Sequence, residues 1–219
     1  MLDLLLPQRC LACARPGAQI CNACRLGLRR IGPPLCARCG APTAWPVERC
    51  RECAGRRLAF VRARAAVEYD EAIRRVVAGW KERGLRGITA WAAELVSEQV
   101  ARPEVCCIVA VPADRDRRLK RGHHAAASLA RELAARWRVP LEPLLVRTRP
   151  STRQRGLDDA ARRRNVRGAF RAEAAPATVL LVDDVYTTGA TVNAAASALR
   201  KAGARRVEVV TFARTIRVR

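Results

Sequence analysis

Eight of the ten cysteines form four Cys-x-x-Cys pairs near the start of the chain. The pairs are Cys10/Cys13, Cys21/Cys24, Cys36/Cys39 and Cys50/Cys53. Each such turn presents two thiolates, and four thiolates in a tetrahedron make a closed zinc site. The sequence therefore predicts two structural Zn²⁺ ions. The pairs can combine in two ways. In sequential pairing the first two Cys-x-x-Cys units share one site and the last two share the other, whereas a cross-brace joins the first and third units. Sequential pairing is favoured, because Pro33 and Pro34 indicate a linker between two ribbons.

The segment VLLVDDVYTTGAT, from Val179 to Thr191, carries a different chemistry. Its apolar residues predict a buried strand that delivers Asp183 and Asp184 to the carboxyl edge of a sheet, where ligands bind in open α/β folds. A turn through Gly189 then leads into a helix whose first N–H groups can bind an anion. Gly189 lets the backbone close around a phosphate without a Cβ in the way. Carboxylates beside such a turn can bind a sugar diol, so the segment predicts a ribose 5-phosphate site.

Two arginine-rich loops are the third candidate. The first contains five bases in seven residues: Arg115, Arg117, Arg118, Lys120 and Arg121. The second, residues 147–167, contains eight bases, Arg153 and Arg155 among them, against two acids. Arginine offers forked donors that suit phosphate oxygens. Both loops should lie at the same sheet edge, and together they predict a basic rim that binds single-stranded DNA.

The aromatic residues divide into two groups. Trp45 in a ribbon loop and Tyr186 beside the phosphate-binding turn are the candidates for stacking on a base. Trp80, Trp91 and Trp137 lie at helix positions and are expected to pack in the core.

These groups need a scaffold, and a change of composition near residue 57 indicates two parts. Residues 1–57 contain too few regularly spaced apolar residues to fold without metal, so they are expected to form a double zinc ribbon. Residues 58–219 alternate strand-like and helix-like patterns, which predicts an α/β domain with a mostly parallel sheet flanked by helices. The predicted strands are 60–68, 105–111, 141–146, 179–182 and 207–212. The predicted helices are 70–82, 89–101, 125–137 and 191–202.

The charge of the chain points to a polyanionic partner. The 219 residues carry a net charge of +22, and 39 of the 42 basic residues are arginine. A preference for arginine over lysine does not explain this net charge, because both side chains carry one positive charge. The excess of basic over acidic residues therefore indicates a polyanionic partner such as nucleic acid or a phosphate-rich ligand. No apolar stretch reaches the roughly 18 residues of a membrane span. A cytoplasmic protein without membrane insertion is expected, and in that reducing compartment paired cysteines indicate metal.

Taken together, these segments resemble the ComF family, in which an N-terminal zinc ribbon precedes a type I phosphoribosyltransferase domain. VLLVDDVYTTGAT looks like the family's binding signature for phosphoribosyl diphosphate (PRPP). The resemblance implies that Asp183 and Asp184 are the catalytic pair that holds the ribose hydroxyls. It implies a 5-phosphate site made by Thr187, Thr188, Gly189, Ala190 and Thr191. Mg²⁺ would accompany PRPP.

Other motifs support the same resemblance. Arg118 and Arg121 match an R-x-x-R-G motif that faces the pyrophosphate of PRPP. Tyr69-Asp70, Arg74, Lys81 and Gly84 are similar to an early helix motif. The family's Phe-Asn-Gln-Ala after R-x-x-R-G is replaced here by His123, His124, Ala125 and Ala126. Adjacent histidines point apart, so they are read as exposed loop residues and not as metal ligands.

Two functions remain open from the sequence. The resemblance implies a protein of DNA uptake in natural transformation that binds PRPP or ribose 5-phosphate together with single-stranded DNA, and whose partners would include a DNA-uptake helicase or other competence proteins. The alternative is an active nucleobase phosphoribosyltransferase of nucleotide salvage. The sequence does not name an acceptor base.

Overall fold

The computed structural model describes residues 8–83, 85–113, 124–149 and 168–216. The strands are β1 (Arg62–Glu68), β2 (Cys107–Ala110), β3 (Val146–Arg147), β4 (Phe170–Arg171), β5 (Thr178–Tyr186) and β6 (Arg206–Arg214). The helices are α1 (Asn22–Leu26), α2 (Glu71–Arg83), α3 (Arg86–Gln99), α4 (Ala125–Trp137) and α5 (Ala190–Lys201). Helix α1 lies in the first ribbon and was not predicted, because five residues are too few for a periodic pattern.

The main sheet has four parallel strands in the order β1-β6-β5-β2. β5 pairs with β6 from Thr178 opposite Arg206 to Tyr186 opposite Arg214. Parallel strands are covered on both faces, which is why β5 and β6 contain long apolar runs. Because all four strands run the same way, their carboxyl ends meet at one edge. The predicted α/β fold with a mostly parallel sheet is confirmed.

Two strand predictions need correction. The strand predicted over 141–146 is wrong, since only Val146 and Arg147 form a strand, β3, which pairs antiparallel with β4. Leu141 makes a single parallel bridge to Ile108. Pro140 and Pro143 have no N–H to donate to a neighbouring strand, which prevents a continuous ladder. The strand predicted over 179–182 is longer than expected, because β5 continues to Tyr186 and contains the acid pair.

Each face of the sheet buries one ribbon. On one face, Cys10, Ala12 and Ile20 of the first ribbon join the core made with α2, α3 and α4. On the other face, the second ribbon contributes Cys36, Cys39, Ala41 and Cys53 to the core made with α5. The boundary predicted at residue 57 stays a prediction.

The segment between the two ribbons completes the sheet. Ile31 N–H donates to the carbonyl of Ala66 at 2.9 Å, and Glu68 N–H donates to the carbonyl of Arg29 at 2.8 Å. These bonds use polar groups of β1 that would otherwise form an exposed sheet edge. Within the described ranges, no helix has the length and apolar character needed to cross a bilayer.

The helix tryptophans are in the core, as predicted. Trp80 is fully buried, and its Nε1 donates to Thr89 Oγ1 at 2.9 Å. The rings of Trp80 and Trp91 both contact Phe212 edge-on, at centroid distances of 5.9 and 5.6 Å. Trp137 is also buried.

Candidate metal centres and phosphate-binding site

The cysteines form two clusters in sequence order. In each cluster the four Sγ atoms lie within 4.8 Å of one another. The clusters are Cys10, Cys13, Cys21, Cys24 and Cys36, Cys39, Cys50, Cys53. Sγ separations include 3.7 Å for Cys13–Cys21, 3.6 Å for Cys36–Cys53 and 3.4 Å for Cys39–Cys50. Four sulfurs bound to zinc at about 2.3 Å lie about 3.8 Å apart, so the donor sets fit the ion. Sequential pairing is confirmed.

Backbone N–H groups donate to one thiol in each cluster. Cys21 N–H points at Cys10 Sγ at 3.5 Å, and Cys50 N–H points at Cys36 Sγ at 3.3 Å. Burial acts to raise the pKa of Cys10, yet backbone hydrogen bonds from Cys21, Cys13 and Ala12 lower it to about 6. The thiolate is the form that binds zinc. With four protein ligands each, the sites have no open coordination position, so the zinc is structural.

The predicted phosphate-binding residues form one turn at the carboxyl end of β5. Gly189 has φ +71° at the N-cap of α5, a conformation that favours glycine. A side chain at this position would collide with the hydroxyl of Tyr186. Thr188 is buried and its Oγ1 accepts from Ala190 N–H at 3.2 Å. We call residues 187–191 the phosphate turn. It presents the exposed Thr187 and the first N–H groups of α5 at the sheet edge.

The acid pair lies directly before this turn. Asp183 and Asp184 are successive residues of β5, so their side chains leave opposite faces of the sheet. Asp184 N–H donates to Asp183 Oδ1 at 2.9 Å. Burial, and then the charge of Asp184, raise the pKa of Asp183 to about 7. The pair therefore combines one carboxyl group whose pKa lies near neutral pH with a second carboxyl group that forms an ion pair with a lysine.

That lysine is Lys81 of α2. Its Nζ lies 2.8 Å from Asp184 Oδ2 and 2.9 Å from Oδ1. Burial acts to lower the pKa of Lys81, but the charge of Asp184 more than offsets this and the pKa is raised. Sequence reasoning did not include Lys81 among the site residues. Its signal was present, because Lys81 belongs to the early helix motif and is one of only three lysines in a chain rich in arginine.

The second ribbon touches the phosphate turn. Arg56, three residues after the last zinc ligand, donates through Nη2 to the carbonyl of Thr188 at 2.8 Å. Asn193 of α5 accepts from Ala59 N–H at 2.7 Å, so the chain that leaves the ribbon is bonded to the helix that begins at the turn. The second zinc centre and the phosphate turn are therefore neighbours in the fold.

Comparison with known proteins identifies both halves of this arrangement. Residues 1–54 match the double zinc ribbon domain, and residues 82–217 match the phosphoribosyl transferase domain. The chain belongs to the ComF family. Among relatives of this ComF chain, competence protein F of Haemophilus influenzae is 27% identical over 89% of the chain and 90% of the relative. DNA utilization protein YhgH of Salmonella typhimurium is 30% identical over 97% of the chain and 100% of the relative.

The comparisons also find one further competence protein and solved phosphoribosyltransferase structures. Competence protein ComFC of Bacillus subtilis is 26% identical over 89% of the ComF chain and 83% of its own length. Among solved structures, an orotate phosphoribosyltransferase from Aeropyrum pernix is 21% identical, covers 67% of each chain and has a TM-score of 0.36.

The predicted nucleic-acid residues of the ComF chain lie outside the described residues. These are Arg115, Arg117, Arg118, Lys120, Arg121, Arg153 and Arg155, and they include the predicted PRPP ligands Arg118 and Arg121. Of the two stacking candidates, Trp45 is 69% exposed, as stacking requires. Tyr186 is only 3% exposed and packs against Phe60, so the expectation that it stacks on a ligand is wrong. Gly189 allows the tyrosine to fit under the turn instead.

Proposed function

We propose that this protein binds PRPP or ribose 5-phosphate, together with Mg²⁺, at the carboxyl edge of its sheet and handles single-stranded DNA during DNA uptake. The observation that carries the proposal is the convergence of three parts at one edge. The phosphate turn, the acid pair of β5 and Lys81 of α2 meet there, within the segment that matches the phosphoribosyl transferase domain. The relatives named for competence and DNA utilization support the DNA role.

The described residues fit a ribose phosphate in defined roles. N–H groups and threonine hydroxyls of the phosphate turn would donate to the 5-phosphate, with the N-terminal end of α5 favouring its negative charge. Asp183 and Asp184 would accept hydrogen bonds from the ribose hydroxyls. Lys81 would orient the Asp184 carboxylate for that task.

The donor set at this edge also fits Mg²⁺. In nucleotide sites this ion keeps several waters and takes one or two carboxylates together with substrate phosphates, and β5 supplies two carboxylates. When bound, Mg²⁺ would neutralise negative charge on the pyrophosphate group of PRPP. The protein's own part is to fix the ribose and its 5-phosphate while the pyrophosphate faces the edge.

The DNA role is supported by charge and by one aromatic side chain. Residues 8–57 contain ten arginines against two acids, so the ribbons add to the basic character of the predicted rim. Trp45 presents an exposed ring on the second ribbon. Arginines that neutralise phosphates, combined with an aromatic platform for bases, are typical of proteins that bind single strands without sequence preference.

Calorimetry with PRPP and Mg²⁺ tests the ligand site. Asp184→Asn should weaken PRPP binding at least about tenfold, because a charge-assisted hydrogen bond to the ribose is lost. The matched control is Glu173→Gln, an 83% exposed carboxylate that pairs with Arg171, which should bind as the wild type does. Absence of PRPP binding in the wild type, or equal affinity in Asp184→Asn, would refute the proposed site.

The transferase alternative is favoured by the domain match itself and is separated by a second assay. Release of pyrophosphate from PRPP is measured with a panel of nucleobases, with and without single-stranded DNA. Base-dependent release that is lost in Asp184→Asn would show an active transferase. PRPP and DNA binding without release would show a binding protein.

A further inference from the structure

A buried arginine connects the second zinc ribbon with the phosphate turn. Arg214 is the last residue of β6 and is 1% exposed. Its Nη2 forms an ion pair with Glu52 Oε2 at 2.8 Å, and its Nη1 donates to the carbonyl of Cys39. Cys39 is a ligand of the second zinc centre, and Glu52 lies between the ligands Cys50 and Cys53. Both partners of the guanidinium therefore belong to the two zinc-binding loops of that ribbon.

The other side of the guanidinium faces the phosphate turn. Arg214 lies over the ring of Tyr186, 4.8 Å from its centroid. The Tyr186 hydroxyl lies against Gly189, at a place that a side chain on residue 189 would occupy. Arg214 is thus held by the ribbon on one side and supports the tyrosine under the turn on the other.

Arg56 makes a second link of the same kind. While its Nη2 donates to the carbonyl of Thr188, its Nη1 donates to the carbonyl of Glu52 at 3.4 Å. The residue whose side chain pairs with Arg214 is therefore also bonded, through its backbone, to the arginine that holds the turn. Glu52 is common to both connections.

Metal is what fixes these contacts on the ribbon side. A Cys-x-x-Cys loop keeps its shape because its thiolates are bound to the ion, and metal binding is the folding free energy of a ribbon. If the second centre lost zinc, the carbonyl of Cys39 and the carboxylate of Glu52 would lose their fixed positions. A guanidinium that is 1% exposed would then lack its partners, which is strongly unfavourable in a buried site.

Two polar atoms of Tyr186 and Arg214 are buried without a hydrogen-bond partner in the described part of the chain. They are Tyr186 Oη and Arg214 Nε. Neither the Tyr186 hydroxyl nor the Nε of Arg214 therefore holds the turn by a hydrogen bond within those described ranges. The conformation of the turn depends on the packing of Tyr186 and on the bond from Arg56.

We infer that Arg214 is a positioning residue through which the second zinc ribbon holds the phosphate turn in its binding conformation. Zinc at the second centre therefore supports PRPP binding at the phosphate turn, although no zinc-binding cysteine belongs to that turn. The part of this inference that concerns ligand affinity rests on the proposed PRPP function. The part that concerns the conformation of the turn does not.

Hydrogen–deuterium exchange of a peptide covering residues 186–192 measures the turn directly. The test variants are Arg214→Lys, which keeps the charge and loses the fork, and Glu52→Gln, which keeps the shape and removes the ion pair. The control is Arg62→Lys at the amino end of β1, which alters a close but more exposed ion pair, 2.6 Å to Glu208, at the amino end of the same sheet. Zinc content and PRPP affinity are measured on the same samples.

Both test variants should exchange about tenfold faster at residues 186–192 and bind PRPP about tenfold more weakly, whereas Arg62→Lys should match the wild type. Cys50→Ser, which removes a ligand of the second centre, should accelerate the same peptide. Adding Glu52→Gln to Cys50→Ser should produce no further increase, because both act through one connection. If Arg214→Lys does not fold, Glu52→Gln alone decides the question.

Unchanged exchange in Glu52→Gln, or additive effects of Glu52→Gln and Cys50→Ser, would overturn the inference while leaving the PRPP proposal intact. The experiment also separates the failure of the PRPP proposal from the failure of this inference. A wild type that binds no PRPP, but whose turn exchanges faster in Glu52→Gln, would overturn the proposed function and support the connection.

Discussion

Replacement of Asp183 by asparagine should stabilise the protein at alkaline pH while weakening its ligand site. Burial and the neighbouring carboxylate raise the pKa of Asp183 from 3.8 to about 7. A carboxyl whose pKa is raised on folding contributes stability that is fully present below pH 3.8 and is lost as the pH rises through about 7. The full difference corresponds to about 4 kcal/mol. Because Asp183 is only partly buried, about half of this, roughly 2 kcal/mol, is expected.

Urea denaturation of wild type and Asp183→Asn at pH 4, 5.5 and 8.5 measures this difference in the free energy of unfolding. The two proteins should be about equally stable at pH 4, and the variant should become more stable by about 2 kcal/mol at pH 8.5. The amide can still accept the hydrogen bond from Asp184 N–H, so geometry is preserved. Glu173→Gln is the control and should show no pH-dependent difference. A variant less stable than the wild type at pH 8.5, or a difference independent of pH, would refute the reasoning.

Three further outcomes are expected. Lys81→Met removes the partner of a carboxylate that is only 13% exposed and should lower the free energy of unfolding by about 2 kcal/mol in urea denaturation, whereas Lys201→Met at the end of α5 should change it little. Mass spectrometry should find two zinc ions per chain, with Cys21→Ser losing one and Cys50→Ser the other; loss of both ions in either variant would contradict independent sites. A plot of the log of the single-stranded DNA association constant against the log of salt concentration should have a slope near −3.5, for about five phosphates. Trp45→Ala should weaken binding without changing that slope, since stacking releases no counterions. A slope near zero would exclude a phosphate-binding rim.

In the acid pair, stability and the proposed function oppose each other. A carboxyl with a raised pKa destabilises the fold at neutral pH, and Asp183 lies at the place where the proposed ligand would use it. Such residues are expected at functional sites, because selection for stability alone would replace them.

Local spacing alone predicted that there are two metal sites and where the phosphate turn lies. A Cys-x-x-Cys pair brings its two thiolates together within one turn, so the number of sites follows from the count of pairs. The turn after β5 is likewise continuous in sequence, and a glycine with φ +71° is required at the point where the helix begins. The fold class followed from alternating strand and helix patterns, since these patterns reflect the burial that each element needs.

Contacts between distant residues were decided only by the tertiary structure. Lys81 and Asp184 are 103 positions apart, and the sequence does not state which of many basic residues pairs with the acid. Arg214 and Glu52 are 162 positions apart, and an arginine at the end of an apolar strand looks like an exposed terminus until the second ribbon is packed over it. Tyr186 was misjudged for the same reason. Its neighbours in sequence suggest a ligand site, whereas Phe60, Arg214 and Gly189 enclose it, because burial depends on which elements the fold brings together.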